Sequence, residues 1–306
     1  MAKTQQTANN AVLVTKGLTK RYRDFWGRER VTALRDLSIE VQPGEVFGLL
    51  GPNGSGKTTT IKLLLGLIQP SAGDAFVFGR DPGDTLAKRR LGYLPEETYL
   101  YKFLNSEETL RFYGQLFGLG GRDLKNRIDE LIELVGLGHA RKRRLGEYSK
   151  GMARRLGLAQ ALINDPDLVI LDEPTSGLDP LGSEEVKHLI MHLKNQGKTV
   201  LLCSHLLADV EDVCDRLAIL YRGILREYGR VDEILTASDR TVVELQQPQP
   251  ELLARLQSEA GDSLIGVEHP RLRLDQHFRN IVAQAQQDDA PATNGAKADP
   301  AAEASA

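Results

Sequence analysis

Long hydrophobic runs are missing from this 306-residue chain. No apolar stretch approaches the roughly 20 residues that a membrane-spanning helix needs, so any membrane role must come through a partner. Cysteine is scarce as well. Cys203 and Cys214 alone make neither a disulfide framework nor a four-ligand zinc site. Both sit in apolar surroundings and read as buried structural thiols, so a cytosolic protein follows. Nor is there an excess of charge of one sign. The net charge of -3 gives no reason to expect nucleic acid as the main ligand. Short basic clusters at 88–90 and 141–144 read as solvated helix faces. The first ten residues are polar and lack the apolar core of a signal peptide. What is present, 41% hydrophobic and 26% charged, suits one large or two modest globular domains.

One stretch organises the rest. Gly51-Pro52-Asn53-Gly54-Ser55-Gly56-Lys57-Thr58, with Thr59 after it, fits the phosphate-loop pattern G-x-x-x-x-G-K-[ST]. An apolar run at 45–50 precedes it, as a buried strand should. Ile61, Leu64, Leu65 and Ile68 follow at near-helical spacing, predicting a helix over 59–67. In that setting the glycines let backbone approach an anion, and the helix N-terminus offers donors and partial positive charge to phosphate oxygens. Lys57 then reaches the β- and γ-phosphates, and the Thr58 hydroxyl is a ligand for Mg²⁺, which prefers oxygen. The alternative, a glycine-rich turn that binds nothing, leaves both flanks unexplained. ATP and Mg²⁺ are the expected ligands.

Around this stretch the chain alternates strand and helix. Strands are predicted at 11–14 and 33–41, with Tyr22 just before a charged loop containing Phe25 and Trp26. An aromatic ring there can stack on a purine or pack on the sheet, and local sequence leaves both open. A turn at 70–74, a strand at 75–79 and a strand stopped by Pro95 come next. From Asn105 the character turns helical. Asn105 with Glu108 reads as a capping box, followed by Leu110, Tyr113, Leu116 and Phe117 on one face. A second helix over 123–134 stops at Gly136, and Ser149 opens a third. Phe103, Phe112, Tyr113 and Phe117 are candidates for a docking groove, with core packing the safer expectation for any one of them. The strand–helix alternation resumes through 167–173, 183–195, 199–203, 206–214 and 216–221, and implies a mainly parallel, helix-covered sheet. Past 235 the pattern weakens to a possible strand at 241–245 and helix at 252–256. From 286 on nothing can be buried, and a disordered tail is expected.

The run at 167–171 ends in Asp172 and Glu173, at the strand end where open α/β sheets place ligands. Asp172 can hold Mg²⁺ directly or through water. Glu173 can take a proton from the water that attacks the γ-phosphate, work for which a positioned base contributes about 10²–10⁴-fold.

The ordered set Tyr148-Ser149-Lys150-Gly151-Met152, Asp172-Glu173, Ser176-Gly177-Leu178-Asp179 and His205 resembles the nucleotide-binding subunit of ABC transporters over residues 12–229. The resemblance implies a P-loop NTPase (RecA-like) α/β core, an N-terminal antiparallel β subdomain and an inserted α-helical subdomain at about 98–162. The ATPase domain would occupy 1–235, an accessory segment 236–285, and the tail 286–306. It implies that Tyr22 stacks on adenine, that Ser149 and Gly151 contact the γ-phosphate held by an opposite subunit, and that Asp179 links two sites across a dimer. It also implies that His205 contacts the γ-phosphate and orients the attacking water. The chain departs from the family in its signature segment, where Tyr148, Lys150 and Met152 replace the usual residues. Lys150 puts a cation near the partner's γ-phosphate, or is solvated. Glu96 stands where a glutamine usually senses Mg²⁺ and the membrane partner, and its carboxylate remains an oxygen ligand. Both variants resemble ATPases that pair with exporter-type (ABC-2) membrane subunits. The resemblance therefore implies an ATPase, peripheral on the inner membrane face, that dimerises, expected as a homodimer, and powers separate transmembrane permease subunits. A soluble ABC ATPase acting on ribosomes, DNA or another non-transport complex is the competing reading, and a non-hydrolysing binding module sits poorly with Glu173 and His205.

Overall fold

The computed structural model describes residues 10–235 and 250–260. The chain divides into two units, 1–240 and 241–306. In the second, only a helix at Pro250–Ala260 is described. It contains the helix expected at 252–256. The strand expected at 241–245, most of the accessory segment and the tail lie outside the described residues.

In the first unit, strands β1 (Leu13–Arg23), β2 (Glu29–Leu37), β3 (Glu40–Val41) and β4 (Val46–Leu50) lead into helix α1 (Lys57–Leu64). Strand β5 (Ala72–Val77), helix α2 (Thr85–Arg89) and strand β6 (Leu91–Leu94) follow, then helices α3 (Ser106–Leu116), α4 (Gly121–Leu134) and α5 (Lys150–Ala161). The order closes with β7 (Leu168–Asp172), α6 (Pro180–Asn195), β8 (Thr199–Ser204), α7 (Leu207–Val213), β9 (Arg216–Tyr221), β10 (Ile224–Arg230) and α8 (Val231–Leu235). The sheet runs β3-β1-β2-β10-β9-β4-β8-β7-β6, with β5 paired to β1. From β9 to β6 every pairing is parallel, whereas β1 pairs antiparallel with β2, β3 and β5.

The parallel strands are buried on both faces, which is why they read as unbroken apolar runs rather than as alternation. Along β4, Val46 and Leu50 join one core with α3, α4 and α5, while Phe47 and Leu49 join the other with α1. Registration then aligns the strand ends. Leu50 lies opposite Ser204, and Asp172 opposite Cys203. Gly51, Glu173 and His205, each the next residue along, therefore emerge on one edge of the sheet. Both cysteines are buried, and burial pushes the Cys203 thiol up.

Several boundaries differ from expectation, each for a local reason. The strand expected at 33–41 breaks after Leu37, because Asp36 takes a left-handed φ of 50° and redirects the chain. The turn expected to reach 74 stops sooner, since Ala72 already pairs with Thr19. Helix α1 ends at Leu64, short of 67. Helix α6 starts at Pro180, capped by Asp179, whose Oδ1 accepts from Gly182 N–H at 2.8 Å. This Asp-Pro pair is a start signal three residues before the expected one. Helix α2 and strand β10 were not anticipated. The basic run at 141–144 lies in a turn rather than on a helix face, where Arg141 ties Glu107 of α3 to Asp129 of α4 at 2.9 and 2.6 Å.

Helix α3 shows the most informative departure. Its capping box forms as expected, with Asn105 and Glu108 bonding reciprocally at 2.9 Å. Its buried stripe, however, is Ser106, Thr109, Leu110 and Gly114. A Cβ at Gly114 would stand 2.3 Å from Leu124 Cδ1, so the missing side chain is what lets α4 approach. Tyr113 packs against the core as expected. Phe103, Phe112 and Phe117 do not, and core packing is the wrong reading for all three.

Candidate active site

A cleft of about 540 Å³ opens at the C-terminal edge of β4, lined by Pro52 through Thr59 of the phosphate loop, Glu96, Asp172 and Glu173. Its far wall is Tyr22, Val31, Thr32, Ala33 and Arg222. Sequence-predicted residues from four separate stretches thus share one space.

The loop is built by close approach. Gly51 has φ 156°, and a Cβ there would meet Leu220 O at 2.3 Å and Ser55 Oγ at 2.4 Å. Only glycine passes this point. Lys57 is buried and folds back to donate to Gly51 O at 2.5 Å. Its Nζ also lies 3.5 Å from Glu173 Oε1. Ser55 Oγ is buried with no hydrogen-bond partner. Such an orphan costs free energy unless an incoming group satisfies it. A phosphate oxygen at the N-terminus of α1 fits that need and faces the partial positive charge of the helix.

Glu173 takes a left-handed φ of 50°, unusual for a side chain with a Cβ and typical of positions held for function. Its N–H donates to Cys203 O at 2.8 Å, which locks the turn after β7 to β8. One carboxylate oxygen faces Lys57. The other lies 2.8 Å from His205 Nδ1. Asp172 is buried beside it. Burial, then the neighbouring Glu96 and Glu173 carboxylates, push its carboxyl up to about 6. Two buried carboxylates side by side, with the exposed Glu96 near enough to act on Asp172, make a place that favours a cation. The available donors, Thr58, Glu96 and Asp172, are the hard oxygen ligands that Mg²⁺ takes.

Arg154 was missed at the sequence level. It is buried in α5, and its guanidinium donates to the carbonyls of Asp172, Glu173, Pro174, Pro95 and Glu96 at 2.5–2.9 Å. One charged group thereby fixes the turn after β7 to the turn after β6. Burial drags its pKa down to about 10, against the pull of Asp172 and Glu96, so it stays charged at neutral pH. The turn at Arg222 and Gly223 joins β9 to β10. It holds the loop from the other side, with Gly223 N–H donating to Ser55 O at 2.9 Å.

Tyr22 is half-exposed over the cleft, with Lys20 Nζ 5.4 Å from its ring centroid. The remaining predicted residues stand apart: none of Ser149, Lys150, Gly151 and Asp179 lines the cleft. Ser149 caps α5, its Oγ accepting from Met152 N–H at 3.2 Å. The Lys150 amine lies against Gly177, 2.0 Å from where a Cβ would sit.

A glycine-rich strand–loop–helix, two carboxylates at the end of β7, one strand removed from β4 across β8, and a parallel sheet define a P-loop NTPase, here with an inserted helical subdomain. The ABC transporter family model matches residues 34–176. An ABC transporter ATP-binding protein of Synechocystis is 49% identical over 80% of this chain and 70% of its own length. The bacitracin transport ATP-binding protein of Bacillus licheniformis is 40% identical over 71% of this chain and 69% of its own. A solved ATP-binding subunit of an ABC transporter superposes with TM-score 0.64 at 32% identity, covering 73% of this chain and 91% of that one. This chain belongs to the ABC transporter ATP-binding proteins. It is an ATPase subunit that powers transport, of a family whose ATP-binding subunits work with transmembrane components. Among the described residues no helix is long and apolar enough to cross a membrane.

Proposed function

We propose that two copies of this chain close around two Mg·ATP and drive export through separate permease subunits. The observation that carries the dimer is the split of the site: the phosphate loop, Asp172 and Glu173 share one cleft, whereas Ser149, Gly151 and Asp179 do not line it. A second copy supplies the missing half, its α5 N-terminus directed at the γ-phosphate.

Within one half-site, Tyr22 stacks on the adenine, and the amides of residues 54–59 with Lys57 take the phosphates. Lys57 is the group that changes partner, leaving Gly51 O and Glu173 for phosphate oxygens. Thr58, Glu96 and Asp172 would hold Mg²⁺, which neutralises charge developing on the phosphates. Glu173 accepts the proton of the attacking water at its carboxylate. His205, bonded to that carboxylate through Nδ1, orients it and meets the γ-phosphate. Losing the γ-phosphate removes the contacts that hold the closed dimer.

The permease side is an aromatic surface on the helical subdomain. Tyr99, Tyr101, Phe103 and Phe112 are exposed, with Tyr101–Phe103 and Tyr101–Phe112 centroids at 5.8 and 6.5 Å. It adjoins the segment after Glu96, so a change at the nucleotide can reach it through Arg154. Export is supported by Glu96 and the signature departures Tyr148, Lys150 and Met152, which resemble those of exporter-type ATPases. Membrane solubilisation and pull-down of the tagged chain tests the assignment. Co-purification of a multi-span membrane protein is expected, and recovery of ribosomes without one would overturn it.

A further inference from the structure

The turn joining β1 and β2 carries features that nucleotide chemistry does not use. Phe25 and Trp26 stand at its tip, 96% and 78% exposed, rings 5.7 Å apart and edge to face. The turn is firmly made. Asp24 Oδ1 accepts the backbone N–H groups of Trp26 and Arg28, both at 2.9 Å, and Gly27 N–H donates to Asp24 O at 3.0 Å. The rings are therefore held outward by backbone bonding rather than hung on a slack loop.

Around them stand Arg21, Arg23, Arg28 and Arg30, all exposed. The acids in this stretch are engaged: Asp24 by the turn amides, and Glu29 by the Thr32 hydroxyl and Arg21. Among the described residues no carboxylate forms an ion pair with Arg28 or Arg30, while Arg23 attracts Glu29 across the hairpin. Four arginines against two carboxylates leave residues 21–30 at +2 in a chain of net charge -3. Exposed aromatic rings inside a cationic collar match a water–lipid boundary, where tryptophan settles at headgroup depth and each basic side chain is drawn to an anionic leaflet. Arg21 and Arg23 lie on β1, Arg30 on β2 and Arg28 in the turn between them, so cationic groups flank the rings on both sides of the hairpin.

We propose that the β1–β2 hairpin tip docks on an anionic lipid surface through Phe25, Trp26 and the surrounding arginines. This rests on the transporter reading, which brings the chain to a bilayer. It adds a second anchor, on the nucleotide-cleft side of the molecule, since Tyr22 and Val31 of the same hairpin line or border that cleft.

Trp26 is the one tryptophan in the sequence, so its emission reports the tip alone. The full chain is mixed with vesicles of equal parts phosphatidylglycerol and phosphatidylcholine, or of phosphatidylcholine only, with no permease present. A shift of emission to shorter wavelength is expected with the anionic vesicles and not with the neutral ones, reversed by high salt. In co-sedimentation, Arg23→Gln and Arg28→Gln should each weaken binding about fivefold, and Phe25→Ser should weaken it further. ATPase rates of these variants in lipid-free buffer should match wild type. No shift with anionic vesicles, or an equal shift with both kinds, would overturn the proposal. A shift produced only by Mg·ATP would assign the tip to the nucleotide, and one produced only by membranes retaining their proteins would assign it to a protein. Because pure lipid is used, failure here leaves the permease assignment standing, and failure of the pull-down leaves lipid binding measurable.

Discussion

The nucleotide cleft and the aromatic surface of the helical subdomain are built on opposite terms. In the cleft, charged groups are buried and answered within the chain: Lys57 by Gly51 O and Glu173, Glu173 by His205, Arg154 by five carbonyls. On α3 and the segment before it, large apolar groups are exposed and touch mainly one another. The first region is preorganised and should be sensitive to single atoms. The second is a surface whose energy is realised only against a partner, and the isolated chain should barely register its loss.

Substitutions can break or sharpen that contrast. The largest effect is expected from Glu173→Gln, with steady-state turnover falling by about 10²–10⁴-fold while ATP still binds. Near-normal turnover would place the proton acceptor elsewhere. Arg154→Met comes next. It strands several buried carbonyls at about 1–3 kcal/mol each, so urea unfolding should show a loss of about 3 kcal/mol or more. An unchanged midpoint would mean that the tie between the β6 and β7 turns is dispensable. Tyr22→Ala should weaken ATP binding by roughly tenfold, from about 1–3 kcal/mol of base stacking, as titration calorimetry can read.

Asp172→Asn tests the cost of the cleft. Its carboxyl is pushed up to about 6 by burial, Glu96 and Glu173, so the folded protein loses stability as pH rises from about 4 through 6. At pH 8 without nucleotide, the asparagine variant should melt at a higher temperature than wild type, and the advantage should vanish below pH 4. It should nevertheless fail to turn over Mg·ATP. The smallest effect belongs to the other region: Phe103→Ser with Phe112→Ser should shift stability within about 0.5 kcal/mol and leave lipid-free ATPase activity intact, yet abolish recovery of the membrane partner. A large loss of soluble activity would erase the contrast.

How much could be read in advance followed the range of the interactions. The phosphate loop, the Asp172-Glu173 strand end and the capping box of α3 are local patterns, where neighbours in sequence are neighbours in space. The packing face of α3 was misread because apolar periodicity shows what a helix can bury, not what lies beside it. Gly114 lets α4 come close, and Leu116 and Phe117 of the expected face were left outside.

By itself, then, the sequence determined a phosphate-binding strand–loop–helix, a carboxylate pair and the family, because each rests on short-range backbone geometry. Tertiary structure decided the rest. Parallel registration brings Gly51 to the same edge of the sheet as Glu173 and His205, both more than a hundred residues further along the chain. Arg154 reaches carbonyls 18 to 59 residues away, which no local pattern encodes. Burial in the same space, with Glu96 and Glu173 beside it, also turns Asp172 from an ordinary acid into one whose charged form is disfavoured.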